Sequence, residues 1–414
     1  MAKLSETLRS RGYVYQFSSE TLEEITDGQK RTIYLGVDPT ADSIHVGNLV
    51  AYMLLRRFAD AGHKVILIIG GGTGMIGDPK PDVERPLLSL EEIEMRTGKL
   101  RKQAEKLLGG IELKTVNNAD WLTRLNLLEF LRDIGKHFTV NSLMKKDAIN
   151  ARMESDDGIS YTEFSYPLLQ AYDFLHLFRE YGCDVQVGGS DQWGNIVAGV
   201  DLIRRKEGKT AYALTIPLIV DKATGKKFGK SEGNAVWLDA EKTSPYQFYQ
   251  FWLNASDESV EDYLKLFTLM SEEDIAEVII NHRHQPGARI AQQALALAVT
   301  RLVHGDDAAY AAEMVSGVLF GVAGLKDLTG EQVAMLKKEA PQSTVSAGQS
   351  IVDVLVSSGL ASSKREARQF LAENAVLLNG QKAADAHILS ETDFENGLAL
   401  LKRGKRNVSV LVLV

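Results

Sequence analysis

Residues 32–48 read TIYLGVDPTADSIHVGN, and residues 49–62, LVAYMLLRRFADAG, continue as an amphipathic helical pattern. A short apolar run stopped by Asp38-Pro39 and followed by a long helix is a strand–turn–helix unit. Histidine and glycine are poor helix starters on packing grounds, so the turn is shaped to hold something. A helix N-terminus offers unpaired N–H groups and a partial positive charge, which suit a phosphate chain. Gly47 lets a bulky ring approach the backbone. Thr40 and His45 supply hydrogen-bond donors without a permanent charge.

Working outward, further apolar runs (KVILIIG at 64–70, CDVQVGG at 183–189, ALTIPLIV at 213–220) alternate with helical stretches at 45–61, 89–108, 124–136 and 191–206. That alternation predicts an α/β fold, a Rossmann-like parallel sheet with crossover helices over 1–220, with its ligand site at the carboxyl ends of the strands. From KTSPYQFYQFWL (242–253) the character changes to helices only, at 245–254, 257–268, 272–283, 287–303 and 306–317. Ser244-Pro245 and Ser271 with Asp274 are helix-start signals. An all-helical unit is therefore expected over 221–325, a connector over 326–347, and a small α+β module over 348–414. In that module Ser363 and Glu366 form a capping box, and Asn379-Gly380 signals a hairpin.

The chain has 414 residues, 44% hydrophobic and 25% charged, with net charge −8. It is long enough for two or three domains. Its charge argues against a sequence-blind nucleic-acid coat protein but allows a local basic patch. The tail 348–414 carries +1 and the remainder −9. The opening MAKLSETLRSRGYVYQ has no apolar signal core, and no apolar run approaches a membrane span. Cys183 is the single cysteine, which suits a reducing cytoplasm.

Two further segments bear on the ligand. KKFGKSEGN (226–234) sets Lys227 and Lys230 in a Gly-rich, basic segment that can close over a phosphate tail and neutralise developing charge. GTGMIG (72–77) fits a dinucleotide fingerprint, but Asp78-Pro79 follows at once instead of a crossover helix.

Taken together, HVGN and KFGKS resemble the His-Ile-Gly-His signature and Lys-Met-Ser-Lys-Ser loop of the bacterial tyrosyl-tRNA synthetases, a class I family. The resemblance extends through GKHFTVN, EFSYPLLQAYDF, GGSDQWGNI, LTIPL and LVHG, and covers essentially the whole chain. It implies a tyrosine–tRNA ligase that uses L-tyrosine, ATP with accompanying Mg2+, and tRNA(Tyr). A dedicated protein metal cage is not expected. The helical unit becomes an anticodon-binding domain, the tail a ribosomal-protein-like RNA-binding module, and the chain a homodimer through a segment inserted in the catalytic domain.

The resemblance also implies roles residue by residue. Tyr34 and Asp173 face the substrate hydroxyl, while Asp78, Tyr166 and Gln170 hold its ammonium group. Tyr166, Gln170 and Asp173 fall at i, i+4 and i+7, on one helix face. Gly36, Asp38, Thr40, His45, Gly47, Asn48, Gly189, Asp191 and Lys230 line the ATP site. Thr40, His45, Gln192, Lys227 and Lys230 act on the reacting groups. Lys364, Arg365, Arg368, Lys402, Arg403, Lys405 and Arg406 suit tRNA phosphates. Asn48 stands where relatives carry a second histidine, and its amide can still donate to a ribose oxygen. Tryptophan activation, a GTGMIG-dependent oxidoreductase and an RNA-binding protein on a retired synthetase scaffold remain as alternatives at this level.

Overall fold

The computed structural model describes residues 3–404 and 407–414, apart from Asp82, Asp156, Asp157, Asp221, Ala223, Thr224, Lys226, Lys227, Gly229, Glu232, Gly233 and Val322. For Asp147, Lys230, Ser231 and Asn234 it describes the backbone alone. By contacts the chain divides into one unit of residues 1–242 and 255–291 and a second of 243–254 and 292–414.

The first unit is built on a six-stranded sheet: β1 (Gln16–Phe17), β2 (Thr32–Val37), β3 (Lys64–Ile69), β4 (Leu113–Asn117), β5 (Cys183–Gly189) and β6 (Tyr212–Ile216). The order is β1-β6-β5-β2-β3-β4, parallel except for β1. Central strands covered on both faces need apolar residues at successive positions, and β2 and β3 have them: Ile33, Tyr34, Leu35 and Val65 through Ile69 are all buried. Tyr34, Ile66 and Ile68 pack with Ala171, Phe174 and Leu202. These come from α3 (Tyr161–Tyr181) and α4 (Trp193–Glu207), which follow α1 (Val46–Asp60) and α2 (Leu90–Leu107). Ser160 caps α3 by accepting from Glu163 N–H, and left-handed Gly182 ends it.

Strand β4 has no apolar run to announce it, because LKTVN is a half-buried sheet edge. A short antiparallel pair, β7 (Lys230–Ser231) and β8 (Asn234–Ala235), follows β6. Two helices of the expected helical domain, Val260–Phe267 and Glu272–His284, belong to this first unit by contact. Arg11 donates to the carbonyls of Lys265 (3.0 Å) and Met270, Arg57 to Thr268 (2.6 Å), and the Tyr13 hydroxyl to Leu266 (2.5 Å). The orphan carbonyls at a helix C-terminus are thus met by cations and a phenol from the first unit.

The second unit holds α5 (Pro245–Leu253), α6 (Ile290–His304), α7 (Asp306–Phe320), α8 (Gly330–Glu339), α9 (Ile351–Ser357) and α10 (Lys364–Ala372). Its five-stranded sheet runs β11-β10-β12-β13-β9, with β9 (Gln342–Val345), β10 (Val376–Leu378), β11 (Gln381–Lys382), β12 (Leu398–Arg403) and β13 (Asn407–Leu413). Asn379 and Gly380 join β10 to β11 with φ of 50° and 81°, the turn the Asn-Gly pair predicts. Ser363 caps α10, although the Glu366 carboxylate accepts from Ser362 N–H, one residue before the cap.

The segment expected to be a connector is structured. Thr329 and Gln332 form a capping box at α8, and β9 pairs in parallel with β13. QSTV is a polar edge strand whose partner arrives more than sixty residues later, so nothing local marks it. Both faces of this sheet are covered. Ala399, Leu401 and Leu411 pack against α9 and α10, while Leu398, Leu400 and Val410 pack with Val315, Leu319 and Leu336 of α7 and α8. Among the described residues no helix is long and apolar enough to cross a membrane.

Candidate active site

The carboxyl ends of β2, β3 and β5, with helix α3 beside them, gather the residues singled out for tyrosine and part of the set singled out for ATP. Tyr34 lies in β2, with Gly36 and Asp38 at its exit, and Asp78 follows the turn after β3. Gly189, Asp191 and Gln192 follow from the end of β5. Helix α3 runs alongside and presents Tyr166, Gln170 and Asp173.

Asp173 is buried, and its carboxylate accepts from the Asn118 amide at 2.8 Å and the Trp121 indole at 2.7 Å. Burial pushes its pKa up to about 7 despite those donors. Next to it the buried Tyr34 hydroxyl has no hydrogen-bond partner among the described residues. Gln170 Oε1 and Gln186 Oε1 are likewise buried and unpartnered, and Gln186 stands beside Tyr34 in the β2–β5 register. Orphaned polar atoms of this kind are costly in a closed core and rational in a site that a polar ligand completes.

A second network centres on Asp38 at the exit of β2. The Tyr166 hydroxyl donates to Asp38 Oδ2 at 2.8 Å, and Thr73 Oγ1 donates to Asp38 Oδ1 at 2.7 Å. Asn118 also donates to Thr73 at 2.8 Å, which joins Asp38 to Asp173. Burial raises Asp38 to about 6. Tyr166 therefore lies against Asp38, while Asp78 accepts from Gln192 (2.9 Å) and Asn195 (3.2 Å). Burial also raises the Asp78 pKa.

His45 caps α1, its Nδ1 accepting from Gly47 N–H at 3.0 Å, so the proton sits on Nε2. Here the ring that needs Gly47 is the histidine's own: a Cβ at 47 would lie 2.8 Å from His45 Cε1. Thr40 and Asn48 are exposed, and Arg96 holds the Thr40 carbonyl at 2.6 Å. Lys227 lies outside the described residues, and Lys230 is described by its backbone in β7.

The glycine-rich turn is no dinucleotide loop. Gly72 N–H donates to Asn118 Oδ1, Gly74 to Gly70 O and Gly77 to Thr73 O, so the donors of all three motif glycines are spent inside the protein. A pyrophosphate would find none of them available.

Residues 26–321 match the family model described as tRNA synthetases class I (W and Y). Residues 332–411 match that of the tyrosine–tRNA ligase SYY-like C-terminal domain. Tyrosine–tRNA ligase of Roseiflexus castenholzii is 44% identical over 427 residues, covering all of both chains. That of Staphylococcus carnosus is 47% identical over 414 residues, covering 98% of this chain and 97% of that one. The chain belongs to the tyrosine–tRNA ligase family of class I synthetases. Among solved structures, a C-terminally truncated Aspergillus nidulans mitochondrial tyrosyl-tRNA synthetase superposes with TM-score 0.70 at 32% identity, covering 77% of this chain and 95% of that one.

Sequence reasoning missed several residues of this synthetase's site: Thr73, Asn118, Trp121, Gln186 and Asn195. Thr73 and Asn195 lie inside quoted motifs without a role of their own, Asn118, Trp121 and Gln186 lie outside any motif, and all five acquire their place through partners distant in the chain. On the C-terminal module, Lys364 pairs with Asp353 (2.6 Å), Arg365 and Arg368 are exposed, and Arg403 lies over the Phe370 ring at 4.8 Å. Lys405 and Arg406 lie outside the described residues. Lys402 corrects the expectation of a phosphate contact. It is buried, and its ammonium donates to Val318 O at 3.2 Å near the end of α7. Strand alternation turns it to the face packed on α7 and α8, while half-buried Arg403 takes the opposite face, over Phe370 of α10.

Proposed function

We infer that the protein activates L-tyrosine with ATP, giving tyrosyl-adenylate and pyrophosphate, and then transfers the tyrosyl group to the 3′ end of tRNA(Tyr). The observation that carries this reading is the buried Tyr34 hydroxyl, unpartnered among the described residues and within the field of the Asp173 carboxylate. A substrate phenol donates to Asp173 and accepts from Tyr34, which satisfies both. Phenylalanine would leave the Tyr34 hydroxyl unmet and bring no donor to Asp173, an asymmetry for which tyrosine-activating synthetases are the standing example.

Asp78, Tyr166 and Gln170 then hold the ammonium group. MgATP lies along Gly36, Asp38, Gly47, Asn48, Gly189 and Asp191, with its ribose toward the carboxyl end of β5. A tyrosine carboxylate oxygen attacks the α-phosphorus, the bond to the bridging oxygen breaks, and pyrophosphate departs. No covalent enzyme intermediate is required. The enzyme contributes positioning and charge stabilisation. His45 Nε2–H and the Thr40 hydroxyl donate from one side, Lys227 and Lys230 neutralise charge from the other, and Gln192 steadies the carboxyl group. A hydroxyl of the terminal tRNA adenosine then attacks the activated carbonyl and AMP leaves.

Exposed Leu127, Leu128, Val140, Met153 and Tyr161 within one stretch of the first unit support a homodimer. Arg365 and Arg368 support tRNA contact by the C-terminal module. The single, buried Cys183 supports a reducing, cytoplasmic setting. Amino-acid-dependent ATP–pyrophosphate exchange tests the reading. Exchange with tyrosine, and none with phenylalanine or tryptophan, is expected; exchange with tryptophan instead, or with neither, overturns it.

A further inference from the structure

Behind Asp78 and Gln192 lies Asn195, buried in the first turn of α4. Its amide nitrogen is 3.2 Å from Asp78 Oδ1 and 3.2 Å from Gln192 Oε1. On the far side its Oδ1 accepts from Lys146 Nζ at 2.8 Å, and the same ammonium donates to Gly194 O at 3.0 Å. Lys146 is half-buried at the cap of the short helix Asp147–Met153.

The two ends of an amide are alike in shape and opposite in hydrogen bonding, whereas an ammonium can only donate. A charged Lys146 therefore obliges Asn195 to turn its oxygen outward and its NH2 toward the site. The two N–H groups meet Asp78 Oδ1 and Gln192 Oε1. With its oxygen so engaged, Gln192 turns its own NH2 to Asp78 Oδ2, at 2.9 Å. One cation thus sets the polarity of two amides, whose NH2 groups occupy the two oxygens of Asp78. Flipping Asn195 would place its carbonyl against a carboxylate and another carbonyl, three acceptors with no donor between them.

We propose that Lys146 is a positioning residue for tyrosine, holding Asp78 and Gln192 through Asn195 in the orientation that receives the substrate's ammonium and carboxyl groups. The inference rests on the reading of Asp78 and Gln192 given above. Burial lowers the Lys146 pKa to about 8, with the charge of Asp78 acting in the opposite direction. Asp78 is the charged group that faces it, and Arg85 and Asp191 act on Asp78 in turn. Once the proton leaves, the neutral amine can accept as well as donate, and Asn195 loses its constraint.

The test is ATP–pyrophosphate exchange by the full-length enzyme and its Lys146→Met, Lys146→Arg and Asp78→Asn variants. Lys146→Met is expected to raise KM for tyrosine on the order of tenfold, the loss of one charged hydrogen bond, with KM for ATP unchanged. Lys146→Arg restores it. In the wild type, kcat/KM for tyrosine falls as pH rises through about 8. Lys146→Arg lacks that step, and the substrate's own titration is common to both enzymes. Should Lys146→Met fail to fold, the pH comparison of wild type with Lys146→Arg still decides, and a step shared by both overturns the proposal. An unchanged tyrosine KM in Lys146→Met, with a lower melting temperature or with a raised KM for tRNA alone, overturns the proposal provided Asp78→Asn still weakens tyrosine. If Asp78→Asn leaves tyrosine unaffected, the site reading itself falls and takes the proposal with it.

Discussion

The Trp121 indole donates to Asp173 Oδ1 at 2.7 Å while its ring stacks on His176, centroids 4.3 Å apart. The stack holds the donor, and the donor holds the carboxylate proposed to meet the substrate phenol. Trp121→Phe keeps an aromatic ring and removes the N–H. A hydrogen bond to a charged group contributes about 1.5–3 kcal/mol, so KM for tyrosine at neutral pH should rise roughly tenfold or more. Initial-rate kinetics at fixed ATP measures it, and an unchanged KM would remove Trp121 from the site.

Tyr34→Phe separates stability from recognition. The hydroxyl is buried without a partner among the described residues, so deleting it removes a desolvation cost of about 1–3 kcal/mol. The ligand-free variant should melt no lower than wild type. Its preference for tyrosine over phenylalanine should fall, read as the ratio of the two kcat/KM values. A clear drop in melting temperature would mean that the hydroxyl has a structural partner.

Burial holds Asp38 and Asp173 at about 6 and about 7, against roughly 4 in an unfolded chain. Between those values the native state binds more protons than the unfolded one, so stability falls as pH rises and levels off above about 7. Asp173→Asn removes its share of that slope. Urea unfolding at several pH values should show a flatter profile for the variant. An identical profile would mean that Asp173 is already ionised in acid.

Gly47→Ala places a methyl group 2.8–2.9 Å from the His45 ring, so the imidazole must leave its cap position. Loss of one preorganised donor costs on the order of 100-fold in the chemical step. Single-turnover adenylate formation should slow accordingly, with tyrosine affinity in equilibrium binding unchanged. Equal losses in both would place His45 in ground-state binding.

Lys402 and Arg365 differ in where they point, and salt dependence distinguishes them. Arg365→Ala should flatten the log–log dependence of tRNA affinity on salt by up to about 1 unit of slope. Lys402→Met should leave the slope alone and lower stability, since its ammonium meets Val318 O inside the second unit. A lower slope in Lys402→Met would restore it as a phosphate contact.

What the sequence by itself determined is local. Apolar runs marked the central strands, the Asp38-Pro39 stop and the His45-Gly47 start marked the turn, and the spacing of Tyr166, Gln170 and Asp173 set three polar groups on one helix face. These follow from backbone period and turn chemistry, which neighbours in the chain suffice to define. Tertiary structure alone decided what those groups touch. Asn118 reaches Asp173 across 55 residues, and Lys146 reaches Asn195 across 49. It also drew the polar segment QSTV into a sheet and turned Lys402 inward. A hydrogen-bond network of this kind has no period, because its members share a volume rather than a stretch of chain. Asp173 was readable in the sequence, whereas Asn118, Asn195 and Lys146 awaited the fold.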